Sequence, residues 1–470
     1  MAGTRCRYNP RVLPGSKPLG WSPSARVEGV LRPPASKSIA QRALLCATIA
    51  DPSAGPSTFL GLDSGADLRA ALAFARALAT DVTVDDDAGS ASVLGTGPRS
   101  LRPAGPLSAQ ESGTLARFAS ALLALHGRAP ARVEASGSLR ARRSEPLVRA
   151  LRSAGAGMDP DGGEHAGTWP LAIRPVPVAP DSIELVDPVS SQEVSALWLA
   201  AAGLPQETTV RVRGAIPSAP YLELTRRELL RFGARLEGDA HELRIRGPLR
   251  PAGVALEADA SGAAVALAAA CLSGGALRVE GIPADSAQGD VRIVEHLRAF
   301  GCEARRAGEL LVAGGRPTRA ADLDLTGEPD LAPVLAAVAA GAAASSGATS
   351  TLRGLGTLRG KESDRLAVLG AGLARAGFAV ETGDAFLRVG PGHGRSATGP
   401  VLLLDPRGDH RMAFAFALLG LVRAAILVER PDCVQKSWPS FWTDLERLGA
   451  ATSPPSPPSP PSPRGTQGAT

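Results

Sequence analysis

The chain has 470 residues, 44% of them hydrophobic, and a formal net charge of +5. That supply of apolar side chains supports two or more domains with sizeable cores and excludes a disordered chain. Basic residues scattered without interleaved aromatics argue against a nucleic-acid partner, and no membrane span is expected: the longest apolar stretch, Leu331 to Ala344, holds Pro333 and is too short for a bilayer.

In chain order, residues 1–24 are Pro/Gly-rich and read as a disordered N-terminal extension. The segment "LRPPASKSIAQRALLCATIA" follows, an apolar helix whose first turn carries Ser36, Lys37, Ser38 and Arg42 behind two prolines. Either serine can cap free N–H groups, but cations at a helix N-terminus oppose the dipole. A bound phosphate or carboxylate reverses that sign; on this stretch alone a solvated basic first turn is the stronger competing reading. Lysine occurs at four positions only, Lys17, Lys37, Lys361 and Lys436, among 51 basic residues. Where arginine is the default cation, a retained lysine suggests a need for a compact ammonium.

Further along, a helix ending near glycine and running into a β-like stretch recurs. It is seen in "LVRALRSAGAG", "LELTRRELLRFGARLE", "IVEHLRAFGCEAR", "VLGAGLARAGFAVE" and "FWTDLERLGAA", with "ALAFARALATDVTV" a weaker first copy. Gly155, Gly233, Gly301, Gly377 and Gly449 suit the left-handed position after a helix, with Thr80 in the first copy. Six such units suggest two domains of three. The Ala-rich segments "SALWLAAAGL", "AAVALAAACL", "APVLAAVAAGAA" and "MAFAFALLGL" read as helices buried all round, so helices are expected inside and sheets outside. The Pro/Ser-rich segment 453–470 reads as a disordered tail.

Polar clusters interrupt apolar helix starts: "QESGTLARF", "GSLRARRSEPLV", "DPVSSQEVSAL", "SAPYLEL", "EPDLAPVL", "LRGKESDRLAVL", "RGDHRMAFAFALL" and "VQKSWPSFW". Singly, each reads as capping. Together they are rich in Lys, Arg, Ser and Gly and poor in carboxylates, as a pocket for a multiply anionic ligand requires. The five cysteines form no CxxC pair and have no histidine at ligand spacing, so no metal site is expected, and reduced thiols fit a cytoplasmic location.

These motifs, in this order from about Ala25 to Ala450, resemble the enolpyruvylshikimate phosphate synthase family of enolpyruvyl transferases. The resemblance implies an α/β fold: a two-domain inside-out α/β barrel, each domain of three βαβαββ units. Residues 25–35 with 258–452 would form one domain and residues 36–257 the other. It also implies transfer of the enolpyruvyl group of phosphoenolpyruvate to the 5-hydroxyl of shikimate 3-phosphate. Phosphate leaves through a tetrahedral ketal, no metal or organic cofactor is used, and the protein acts as a monomer. By position, Lys37, Ser38, Arg42, Ser190, Ser191, Gln192, Ser218, Tyr221, Asp330, Thr357 and Lys361 would hold shikimate 3-phosphate. Lys37, Gly113, Arg142, Gln192, Arg365, Arg411 and Lys436 would hold phosphoenolpyruvate, and Asp330, Glu362 and Lys37 would be catalytic. Asp330 would accept the 5-hydroxyl proton; Glu362 with Lys37 would supply one to the methylene, with the Glu362 pKa expected to be raised by anionic substrate.

Three positions depart from the family's pattern: Arg143 replaces the usual proline after Arg142, Thr357 stands where Asn or His is common, and "LDSGADLR" lacks paired aspartates. A related enzyme that adds enolpyruvyl to a UDP-sugar shares the fold but relies on a loop cysteine, and none of the cysteines here lies in such a loop. A non-enzymatic anion-binding relative is expected to lose Asp330 or Glu362, and both are present.

Overall fold

In the five full copies of the recurring segment the helix runs into a glycine with positive φ: Gly155 (100°), Gly233 (81°), Gly301 (85°), Gly377 (88°) and Gly449 (102°). Each glycine N–H donates three residues back and the next N–H donates five back, as Gly233 does to Leu230 and Ala234 to Leu229, so the same turn closes all five. The anticipated first copy differs. Helix Ala66–Leu78 ends in extended backbone at Ala79, and Thr80 donates directly to Leu94 of the sheet.

The structure, a computed structural model, describes residues 17–160, 167–392 and 401–451. The repeat unit is clearest over 182–246. Strand Ser182–Val186 runs parallel to Thr208–Arg213 across the buried helix Ser191–Ala202. Helix Leu222–Arg231 then leads into the hairpin Arg235–Gly238 and Glu242–Arg246, whose second strand pairs antiparallel with Thr208–Arg213. The same first-second-fourth-third order recurs in the sheets built on Ala131–Glu134 and Ser350–Arg353. Two other units exchange their first strand through the chain crossings: Gly253–Ala255 pairs with Ser57–Leu60, and Gly29–Leu31 with Ala276–Val279. In the last unit Leu402–Leu404 and Ile426–Val428 pair in parallel, and Leu19 bridges antiparallel to Val428.

That bridge corrects the expected 1–24 extension. From Lys17 onward the segment is built in, with Trp21 only 1% exposed and its ring 5.1 Å from that of Phe441. A buried indole and a strand contact outweigh the Pro/Gly composition. Residues 1–16 and the tail 453–470 lie outside the described residues.

Six helices are buried and the sheets face outward, alternating exposed and buried residues (exposed-buried through Ser182–Val186 and Glu242–Arg246). Among the described residues the strands form six separate small sheets, not one closed barrel, because each four-stranded sheet ends on a hairpin edge. Three Ala-rich helices, Ala260–Ser273, Ala332–Ser346 and His410–Val422, pack on one another in one apolar cluster, which runs from Trp21 to Leu31 and from Ala258 to Ala450. Lys37–Ile49, Gly113–His126 and Ser191–Ala202 do the same in a second cluster spanning Ile39 to Leu256. Small side chains let such helix trios approach closely. With its leading turn, Pro329–Ser346 reaches 18 residues, long and apolar enough to cross a membrane by length and composition, but it is 72% buried inside this packing.

The chain passes between the clusters twice, side by side. Ser36 N–H donates to the Glu257 carbonyl and Asp259 N–H to that of Pro34, both at 2.8 Å. The half-buried Asp63 carboxylate accepts from Ala35 N–H at 2.6 Å.

At Gly233 an added Cβ would meet nothing closer than Arg250 at 3.8 Å, so only backbone strain opposes a side chain there. Gly233→Ala is expected to cost about 1–2 kcal/mol, the left-handed penalty of an L-residue. A urea midpoint shifted by that amount at unchanged slope is the check, and an unshifted midpoint would mean the turn relaxes.

Candidate anion-binding cleft

All six buried helices start at one cleft of about 690 Å³ between the two clusters. Lys37, Gly113 and Ser191 open three of them from one side; Ser261, Asp330 and His410 lie in the first turns or lead-ins of the other three. Six positive dipole ends converge there, together with the cations on those turns. Capping accounts for part of the polar composition: Ser112, Ser190, Asp259, Asp364 and Asp409 each accept a backbone N–H. It does not account for the cations.

On the first side Arg42 is 2% exposed and donates to Thr225 Oγ1 and to the Ser38 carbonyl, both at 2.7 Å, with burial pushing its pKa down to about 10. Gly113 leaves room for two guanidiniums: a Cβ there would lie 2.7 Å from Arg142 Nη1 and 2.9 Å from Arg117 Nη1. Ser190, Ser191 and Gln192 line the same wall, as does Ser218, whose φ of +56° is left-handed. Tyr221 reaches over to the other cluster and donates to Asp290 Oδ1 at 3.0 Å; burial, then Asp290 and Asp330, hold its pKa well above the usual phenol value.

The opposite wall is an ion cluster. Asp330 lies 2.9 Å from Arg365 Nη1, and 3.3 Å from both Lys361 Nζ and Arg411 Nη2. Glu362 lies 2.6 Å from Arg365, 3.2 Å from Lys436 Nζ and, across the cleft, 3.4 Å from Arg142 Nη2. Arg365, 1% exposed, also binds Asp409 at 2.8 Å. Burial alone would raise both carboxyl pKa values, but Arg411, Lys361 and Arg365 hold Asp330 far below the carboxylate range. Arg365, Lys436 and Arg142 do the same for Glu362. The rise expected of the Glu362 pKa was tied to bound anionic substrate; with none bound, the neighbouring charges are cationic and the shift is downward.

Residues 21–445 match the family described as EPSP synthase (3-phosphoshikimate 1-carboxyvinyltransferase). The chain belongs to that family. A relative named 3-phosphoshikimate 1-carboxyvinyltransferase from Nitrosomonas europaea is 34% identical over 439 residues, covering 92% of this chain and 97% of the relative. One of the same name from Methanopyrus kandleri is 35% identical over 429 residues, covering 90% and 96%. The EPSP synthase structure from Acinetobacter baumannii shares the fold with a TM-score of 0.73 at 24% identity, covering 93% of this chain and 99% of that one. The enolpyruvyl transferase NikO from Streptomyces tendae does so with 0.70 at 18%, covering 94% and 99%.

Against the family pattern, every residue proposed from sequence lines the cleft except Lys436, which reaches it through Glu362 and through the Glu111 carbonyl at 3.2 Å. Thr357 lines it too, its buried hydroxyl without a hydrogen-bond partner. Sequence reasoning missed Asp67, which binds Lys37 Nζ at 3.0 Å and sits in the very "GADLR" turn that departs from the pattern. Arg117, within the "QESGTLARF" segment, was given no role. Asp290 and Ser261, hydrogen-bonded to each other beneath Tyr221, carried no motif to find them by. Among the described residues no group of three His, Cys, Asp or Glu is placed to hold a metal ion.

Removing one carboxylate from this cluster should free cations for a small anion. Glu362→Gln is expected to tighten inorganic phosphate binding by about tenfold, a change of about 1.4 kcal/mol. Titration calorimetry at pH 7 reads it, and unchanged affinity would place phosphate elsewhere.

Proposed function

We propose that this protein transfers the enolpyruvyl group of phosphoenolpyruvate to the 5-hydroxyl of shikimate 3-phosphate, releasing phosphate, as a step of chorismate and aromatic amino acid biosynthesis. The observation that carries this is the pair Asp330 and Glu362, each ringed by cations in one cleft at six helix N-termini. Both substrates are polyanions, and the arrangement matches their charge.

The 5-oxygen bonds to C2 of phosphoenolpyruvate while the methylene carbon gains a proton, giving a tetrahedral ketal. The C2–O bond to phosphate then breaks and the methyl carbon returns a proton. In this reading Asp330 takes the 5-hydroxyl proton, and Glu362 with Lys37 serves the methylene. Neither carboxyl does this well in the free protein, where cations keep both ionised. Entry of shikimate 3-phosphate at Lys361, Ser190, Ser191, Ser218, Tyr221 and Thr357, and of phosphoenolpyruvate at Arg142, Arg365, Arg411 and Lys436, shares those cations out. Both pKa values then rise towards the working range. Arginines stabilise the carboxylate and the departing phosphate.

The two apolar clusters are read as two domains, residues 25–35 with 258–452 and residues 36–257, that close on substrate about the paired crossings. A monomer in the cytoplasm fits this reading, and the buried unpaired thiols Cys46, Cys271 and Cys302 support the reducing compartment.

Phosphate release from phosphoenolpyruvate with shikimate 3-phosphate, and none with a UDP-sugar acceptor, is the direct test; the reverse result overturns the proposal. Asp330→Asn is expected to lower kcat by about a hundredfold or more with little change in KM. Near-normal turnover removes Asp330 from the role.

Glyphosate, an inhibitor of the family, is longer than phosphoenolpyruvate and needs the space at Gly113 more. A methyl there presses on Arg142 and Arg117, so inhibition should weaken by about tenfold or more in Gly113→Ala, with a smaller rise in KM for phosphoenolpyruvate. Equal losses would show that only the guanidiniums moved.

A further inference from the structure

Behind the Gly113 wall lies a polar chain that the reaction as written does not use. Arg117, 6% exposed, makes four hydrogen bonds: Nε to Ser144 Oγ at 2.8 Å, Nη1 to the Gly113 carbonyl and to Gln192 Oε1, both at 3.0 Å, and Nη2 to the Arg143 carbonyl at 3.2 Å. Its three acceptors other than Ser144 belong to Gly113, to Gln192 and to the residue after Arg142. Ser144, fully buried, donates its hydroxyl to Glu193 Oε1 at 2.5 Å. Glu193, also fully buried, accepts from Val189 N–H at 2.8 Å through its other oxygen.

We infer that Glu193, through Ser144, is a positioning residue that fixes the Arg117 guanidinium and with it the Gly113, Arg142 and Gln192 side of the cleft. This rests on the proposed function. The chemistry is directional. With its proton directed to Glu193 Oε1, the Ser144 hydroxyl turns a lone pair to Arg117 Nε, which fixes its orientation. The negative charge also offsets the desolvation of the guanidinium: burial pushes the Arg117 pKa down to about 10, and Glu193 holds it up. With Arg117 oriented, the Gln192 oxygen is occupied, so its NH2 is the end left to face an anionic ligand. The Gly113 carbonyl, which would repel a carboxylate or phosphate, is likewise turned to a cation. Gln192 is assigned to both substrates, but none of these contacts touches Ser218, Tyr221, Thr357 or Lys361, so the relay acts mainly on the phosphoenolpyruvate side.

The test separates the two substrates. Glu193→Gln keeps the shape and removes the charge; Ser144→Ala cuts the link and leaves both charges. Each is expected to raise KM for phosphoenolpyruvate by tenfold or more while the dissociation constant for shikimate 3-phosphate, measured alone by calorimetry, moves less than threefold. Glu193→Asp should recover part of the loss. If Glu193→Gln does not fold, Ser144→Ala decides by the same split. Equal loss towards both substrates, or no change towards either, overturns the relay. Wild-type phosphate release on the same day reads the proposed function independently, since the relay is judged only on variant-to-wild-type ratios.

Discussion

Convergence of six helix N-termini on one cleft is the constraint from which the rest follows. Each brings free N–H groups and a positive dipole end, and the turns add Lys37, Arg142, Lys361, Arg365, Arg411 and Lys436 within the same space. Such a concentration of positive charge repels itself. In the free protein it is balanced by Asp67, Asp330, Glu362 and Asp409, held at 2.6 to 3.4 Å from those cations in the contacts described above. Two of the four are the proposed proton carriers. Charge balance and catalysis are thus assigned to the same groups, and a polyanionic substrate changes the second by taking over the first.

The fold delivers this convergence by repetition. A parallel strand pair flanks each buried helix, so the helix runs antiparallel to its strands, and a surface helix closed by a left-handed glycine turns the chain back into the outer hairpin. Three such helices pack per cluster, and alanine at their contacts lets their starts come close together. Exchange of Gly29–Leu31 and Gly253–Ala255 between units ties the clusters at two adjacent crossings. Contacts across the cleft, Arg142 with Glu362 and Tyr221 with Asp290, then set how the two walls face each other.

Local chemistry was legible in the sequence where a residue's reason is local. Glycines at Gly155 through Gly449 announced their turns because only a residue without Cβ adopts that φ cheaply, and the all-apolar Ala-rich helices announced burial. Lys37 at a helix start was legible as an energetic anomaly; that its partner in the free protein is Asp67, thirty residues on, was not. Trp21 was not: nothing in a Pro/Gly-rich segment shows that one indole will find Phe441 more than four hundred residues away. Asp290 and Glu193 were illegible for the same reason, since their partners Tyr221 and Ser144 are distant in sequence.

The sign of the Glu362 pKa shift shows why a site's composition does not fix its electrostatics. The sequence counts cations and carboxylates, but the shift depends on which lie nearest, and with Arg365 at 2.6 Å the cations prevail. Substrate reverses the balance only if it displaces Glu362 from at least some of Arg365, Lys436 and Arg142. Arg365 is the least able to leave, because Asp409 holds it from behind at 2.8 Å while it is almost wholly buried. Arg142 and Lys436 reach Glu362 at longer distances and with less support, so they are the cations that an incoming phosphate can recruit first. The carboxyl would then regain a proton while still anchored by one guanidinium, which keeps it in place for transfer to carbon.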